Sequence, residues 1–274
     1  MPSEDFDTTG DTDIILRSAD GQQFHTHKSL LSRASPVFRD MFAFPQPPSP
    51  EPLSVPVVDV SETGKVLDVF LRCLYPMPKT TVEGFELLEG VFAAAEKYEA
   101  TVVLNHMGIH CLAIPENLKE DPFRVYVIAR VYGFWGQADA AAKWITFDTL
   151  LSAKWVTVAR LTATDHHLLV IYLLSRERGA KRLIEELPWS IFYPPCLCGI
   201  EAKFGERIEK ALLEAFTSNP VLSVEEAEVA ARELLANISL SECRYKDGCS
   251  LVRQAERYAR MLSKRLVEMS DRAQ

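Results

Sequence analysis

The sequence predicts an α+β chain in which a small N-terminal sheet covered by helices precedes an all-helical extension. Three observations carry that prediction. Residues Asp13 to Thr26 alternate apolar and polar around an Asp20-Gly21 turn signal. Val57 to Val60 is a short β-branched run. After Ile114-Pro115 the alternation stops, and apolar residues recur three and four apart almost to the C-terminus.

The elements follow in order. Residues 1–10, polar and acidic, read as a flexible tail. Ile14, Leu16, Phe24 and Thr26 define a β-hairpin, and Leu30-Leu31 a short helix. Ser35-Pro36 has the form of an N-cap with proline in the first helical position, where the missing N–H costs nothing. Phe38, Met41 and Phe42 then share one helical face. Residues 44–56 hold six prolines, which excludes a helix and predicts an exposed loop. Beyond the Val57 strand, Ser61 is placed to cap a helix carrying Val66, Leu67, Phe70, Leu71 and Leu74, which Pro76 and Pro78 end. Phe85, Leu88, Phe92 and Ala95 space out the next helix, and Val103 to Leu112 one more.

In the extension, residues 115–274, Val125, Ile128, Ala129 and Tyr132 form a face that ends at Gly133 and Gly136. Ala138 to Phe147 reads as a helix with small alanines around Trp144. Thr164 is expected to cap a helix through Leu168, Ile171, Tyr172 and Leu174. Three later helices are expected: Phe204 to Phe216, Glu225 to Ile238 with a Ser223/Glu226 capping box, and Leu251 to Met269.

Composition narrows the function. A chain of 274 residues with 47 % hydrophobic residues is long enough and apolar enough to bury a core. Thirty basic residues against thirty-eight acidic ones give a formal charge of -8, the wrong sign for a protein whose work is gripping phosphate backbones. The basic cluster Arg257, Arg260, Lys264 and Arg265 alternates with Glu256 and Glu268, so direct nucleic-acid binding is not expected. The apolar run Leu168 to Leu174 is too short to cross a membrane. Met1 to Gly10 has neither a basic start nor an apolar stretch, so the cytoplasm or nucleus is the expected location.

In this order the residues of the first hundred positions resemble the BTB/POZ domain family. The resemblance rests on Asp13-Ile14, Gly21, Phe24, His27, Leu30-Leu31, Ser35, Phe38 and Met41-Phe42. It continues through Val57-Val58-Asp59, Phe70-Leu71, Leu74-Tyr75 and Ala94-Ala95-Glu96-Lys97-Tyr98, and covers residues 11–114 as a dimerisation domain. The helical remainder is similar to the extension of BTB-containing proteins of fungi. Gly21, Phe24, His27, Ser35 and Phe38 are read as structural: a turn, a sheet seal, a strand-to-helix tether, a cap and a helix face.

The resemblance implies homodimerisation and recruitment of protein partners, without catalysis. It places Asp13 and Lys28 in a charged pocket near the dimer interface, and it makes Met41, Phe42 and Phe44 a candidate partner surface. Two purposes are common in the family, cullin ubiquitin-ligase substrate adaptor and transcriptional cofactor scaffold. In the adaptor pattern an acidic residue follows the Phe38–Phe42 helix after a short spacer. Here Phe44-Pro45-Gln46-Pro47-Pro48 intervenes and Glu51 arrives late.

No cofactor is expected from the motifs: there is no phosphate-binding loop, dinucleotide fingerprint, serine elbow or HExxH. His106 and His110 have i,i+4 spacing with no glutamate between them, and His166-His167 begin a helix. Cys73 and Cys111 fall among apolar residues as core thiols. Cys196, Cys198, Cys243 and Cys249 are either unpaired thiols in helical turns or a structural zinc site of four thiolates, with C-x-C and C-x5-C spacings that depart from the usual two-residue gap.

Overall fold

The computed structural model describes residues 6, 11–44, 55–77, 82–186 and 201–218, and single positions at 229, 257–258, 260–262, 264–265 and 268. The chain divides into two compact units, one of residues up to 120 with 132–137, the other of 121–131 with 138 onward.

In the first unit, β1 (Ile14–Arg17) lies between β2 (Gln23–Thr26) and β3 (Val57–Asp59). It pairs antiparallel with β2, Leu16 opposite Phe24, and parallel with β3, Ile15 opposite Val57. The alternation that marks a half-buried strand holds on β2, where Phe24 and Thr26 point inward. On the central strand Ile14, Ile15 and Leu16 are all buried, as expected where both faces are covered. Gly21, at φ 82°, turns the hairpin in the left-handed region that a side chain disfavours.

Two short helices, α1 (Lys28–Ala34) and α2 (Pro36–Ala43), follow β2. The Ser35 hydroxyl accepts the Phe38 N–H at 3.1 Å, with Pro36 at the first helical position as its sequence predicts. The amphipathic α3 (Gly64–Leu74) buries Leu67, Phe70 and Leu71, and α4 (Phe85–Lys97) buries Phe85, Leu88, Phe92 and Ala95. Gly90 lets these two approach: a Cβ there would stand 2.8 Å from Val66 Cγ2.

Ser61 is not the cap of α3. The N-cap is Thr63, without a side-chain bond, and the Gly64 N–H is taken instead by Asp20 Oδ1 from the hairpin turn at 2.8 Å. This cap comes from 44 residues away, so no local pattern announces it.

At the end of α4 the chain enters the left-handed region at Glu99 (φ 50°), and the Ala100 N–H bonds back to the Ala95 carbonyl at 2.8 Å. The helix read over Val103 to Leu112 is divided. α5 (Thr101–His106) passes into a π-helical segment (Met107–Leu112), and α6 (Pro115–Glu120) follows. Buried Asn117 donates its amide to the carbonyls of Cys111 (2.9 Å) and Leu112 (3.0 Å), which the end of the π segment leaves open. Phe6, read as part of the tail, is buried in this unit edge-on to Phe24 and Tyr75.

Among the described residues six further helices are bounded: α7 (Pro122–Tyr132), α8 (Trp135–Ala142), α9 (Phe147–Ser152), α10 (Trp155–Val158), α11 (Ala163–Glu186) and α12 (Glu201–Ser218). Asp121 accepts the Arg124 N–H and Pro122 opens α7, the same cap-and-proline device as at Ser35-Pro36. Ala138 to Phe147 is not one helix. α8 stops at Ala142, and Thr146 caps α9 through the Thr149 N–H at 3.1 Å. Gly136 lies inside α8, while Gly133 (φ 79°) turns the chain after α7.

The cap of α11 is Thr162, not Thr164: its hydroxyl accepts the Asp165 N–H at 3.0 Å and donates to the Asp165 carboxylate at 2.7 Å. Asp165 also pairs with Arg130, and the Tyr126 hydroxyl donates to the Asp165 carbonyl, so α7 and α11 are tied at one point. Among the described residues no helix is long and apolar enough to cross a membrane.

Candidate interaction surface

The junction of β1 with α1 holds the two charged residues singled out in the sequence. Asp13 precedes β1, and its carboxylate accepts the Lys28 backbone N–H at 2.7 Å. An acceptor is favoured there, because the first N–H groups of a helix have no partner within it. Asp13 is exposed and Lys28 half-buried. The two are therefore brought together through Lys28's main chain.

His27, one residue earlier, is fastened from two sides. Its backbone N–H donates to the Tyr75 hydroxyl at 2.9 Å, its Nδ1 lies 3.2 Å from that hydroxyl, and its Nε2 lies 3.2 Å from Asp11. Burial, followed by the carboxylates of Asp13 and Asp11, pushes the Tyr75 hydroxyl above its ordinary value against the pull of the His27 N–H. Tyr75 thus remains a neutral hydrogen-bonding group that joins the end of β2 to the end of α3.

The hairpin turn is a second anchor. Asp20 accepts from the Ser18 hydroxyl and then from the Gly64 N–H, and these bonds hold its carboxyl below the usual range. Arg17 and Asp59 face each other across β1 and β3 as a two-pronged pair, with contacts of 2.5 and 2.7 Å. Both are exposed, so the pair marks register more than it stabilises.

Ser35, Phe38 and Tyr98 form the best-buried part of the region. The Ser35 hydroxyl, besides capping α2, donates to the Tyr98 carbonyl. Phe38 stacks on Tyr98 with ring centres 4.5 Å apart, and Phe42 stacks on Phe38 at 5.9 Å. The Tyr98 hydroxyl donates to Glu62 at 2.6 Å, and Lys97 donates to the same carboxylate at 2.9 Å. Burial acts to raise the Glu62 carboxyl, but the Tyr98 and Lys97 bonds together outweigh it and hold the group below its ordinary value. Burial, with Glu62 adding to it, raises the Tyr98 hydroxyl far above its ordinary value. The sequence reading missed Glu62, Lys97 and Tyr98 as a polar cluster, because Glu62 and Tyr98 are 36 residues apart.

This rigid base carries the candidate partner surface. Met41 and Phe42 are half-buried at the end of α2, and Phe44 just beyond it is 69 % exposed. The proline-rich stretch that follows lies, between 45 and 54, outside the described residues.

Cys196, Cys198, Cys243 and Cys249 also lie outside the described residues. Cys73 is buried and Cys111 half-buried, where burial raises its thiol. His106 and His110 stand with ring centres 5.0 Å apart. Among the described residues no group of three or more His, Cys, Asp and Glu side chains is placed to hold a metal ion.

Comparison with known families agrees with this geometry: residues 4–114 match the model of the BTB/POZ domain. No curated protein matches the chain.

Proposed function

We propose that the BTB/POZ domain at residues 4–114 joins two copies of this chain and recruits other proteins through the end of α2. A BTB/POZ domain is a protein–protein interaction module, and the family match is the observation that carries the reading. Two features support its finer parts. Asp13 is held against the first turn of α1 beside Lys28, the two positions that the family resemblance puts next to the dimer contact. Phe44, 69 % exposed, directly follows α2, which Ser35 and the Phe38–Tyr98 stack hold in place, and aromatic residues including Phe are enriched at protein interfaces.

On this reading the protein is non-catalytic and works in the cytoplasm or nucleus as an adaptor or scaffold. The late position of Glu51 sets it apart from the cullin-adaptor pattern. The test is co-expression of two differently tagged full-length chains. Both tags are expected in one complex, and Lys28→Glu, which reverses a charge without removing a buried contact, should reduce co-purification. Tags that separate cleanly in the unmutated protein would overturn the dimer.

A further inference from the structure

We propose that a cleft in the helical unit binds a small amino-acid-type zwitterion with an apolar side chain. The cleft, about 250 Å³, is bounded by α9, α11 and α12. Its base is unusual in charge. Arg176 is only 7 % exposed, yet it donates to two neutral acceptors, the carbonyls of Ile145 at 2.7 Å and Lys143 at 3.3 Å. Among the described residues its hydrogen-bond acceptors are these carbonyls and not a carboxylate. Two of the five guanidinium N–H donors go to these carbonyls, and the guanidinium lies 5.7 Å from the centre of the Tyr172 ring, so among the described residues its partners are neutral.

A buried charge in that condition is costly, and a carboxylate arriving in the cleft relieves the cost with a geometry that suits the guanidinium fork. Burial depresses the Arg176 pKa against the opposing pull of Tyr172, and an anion beside the guanidinium would likewise favour its charged form. The rim has the opposite sign. Asp148, in the first turn of α9, and Glu177, which Lys181 approaches at 2.6 Å, line the same cleft. Asp148 disfavours a dianion such as phosphate and suits an ammonium group, while Glu177 shares its charge with Lys181. Leu173 and Phe216, 1 % and 2 % exposed, line the same cleft and give it an apolar wall. The volume is below the roughly 300–1,000 Å³ of pockets that hold drug-sized ligands, and a free amino acid is of the right scale.

The proposal does not depend on dimerisation, and its test uses the full chain. Titration calorimetry would compare L-leucine with isocaproate, which lacks the ammonium, and isoamylamine, which lacks the carboxylate. Saturable binding of L-leucine is expected, with each analogue at least about tenfold weaker because one charge pair is lost. Arg176→Met should abolish binding. Asp148→Asn, on the exposed rim, tests the same idea without disturbing a buried group and should weaken L-leucine several-fold while leaving isocaproate unchanged. Three results would overturn the proposal: no saturable heat with L-leucine up to roughly 10 mM, isocaproate or inorganic phosphate binding as tightly as L-leucine, or an Asp148→Asn protein that binds L-leucine as before.

Discussion

Replacing Ser35 by alanine removes two bonds with one oxygen atom. The side chain is fully buried, accepts the Phe38 N–H at 3.1 Å and donates to the Tyr98 carbonyl. Loss of an N-cap costs about 1 kcal/mol. Depriving a buried carbonyl of its donor costs about 1–3 kcal/mol more. The expected total is therefore about 2–4 kcal/mol, a large share of the stability of an ordinary domain. Ser35→Gly separates the two contributions, because glycine caps a helix nearly as well as serine but has no hydroxyl for Tyr98. Glycine should therefore be the milder substitution by about 1 kcal/mol. Amide hydrogen exchange of the peptides covering α2 and α4, together with calorimetry of the full chain, reads both numbers. A loss below about 1 kcal/mol for Ser35→Ala would refute the reasoning, since neither bond could then be making its ordinary contribution.

Three further outcomes follow from the same unit. Glu62 has its folded pKa lowered, so its contribution to stability is present above its ordinary value of 4.5 and is lost as pH falls through the lower folded value. Glu62→Gln should therefore flatten the acid limb of a stability-against-pH curve, and an unchanged limb would contradict the Tyr98–Lys97–Glu62 arrangement. Gly108→Ala should destabilise by about 1–3 kcal/mol, measured by urea unfolding, because the new Cβ would stand 2.2 Å from the Phe134 ring. Glu99→Gly should raise the melting temperature, with a gain of about 1 kcal/mol, since an exposed residue at φ 50° is relieved by losing its Cβ.

The parts of this fold that could be read from sequence are those whose physics is local. Ser35-Pro36 announces a helix start because cap and proline act within three residues, and Asp20-Gly21 announces a turn for the same reason. Alternation located β2, and the β-branched run located β3. The errors fall where two local candidates compete or a distant residue intervenes. Thr162 and Thr164 are both plausible caps, and Arg130, from another helix, pairs with the Asp165 that Thr162 serves. Ser61 looked like a cap, but it accepts from Lys97 at 2.7 Å while Asp20 serves α3.

Of the candidate interaction surface, the individual residues were legible and their mutual arrangement was not. His27 was singled out, yet its partners Tyr75 and Asp11 lie 48 and 16 residues away. Phe6 shows no periodicity with its neighbours, so its burial against Phe24 and Tyr75 could not be read. Arg176 has an ordinary place in a charged helix sequence, and only the folded chain shows it buried on two carbonyls. The division of the helix expected over 103–112 was likewise not legible. Gly108 accommodates Phe134, a contact that no helical period encodes.

The central claim is that this chain works as a pair of BTB/POZ domains. Light scattering of the full-length, reduced protein after size exclusion, over a concentration series, tests it most directly. The account predicts a mass twice the 30.8 kDa of one chain, held down to low micromolar concentration. A mass of one chain throughout the series, up to tens of micromolar, would contradict it.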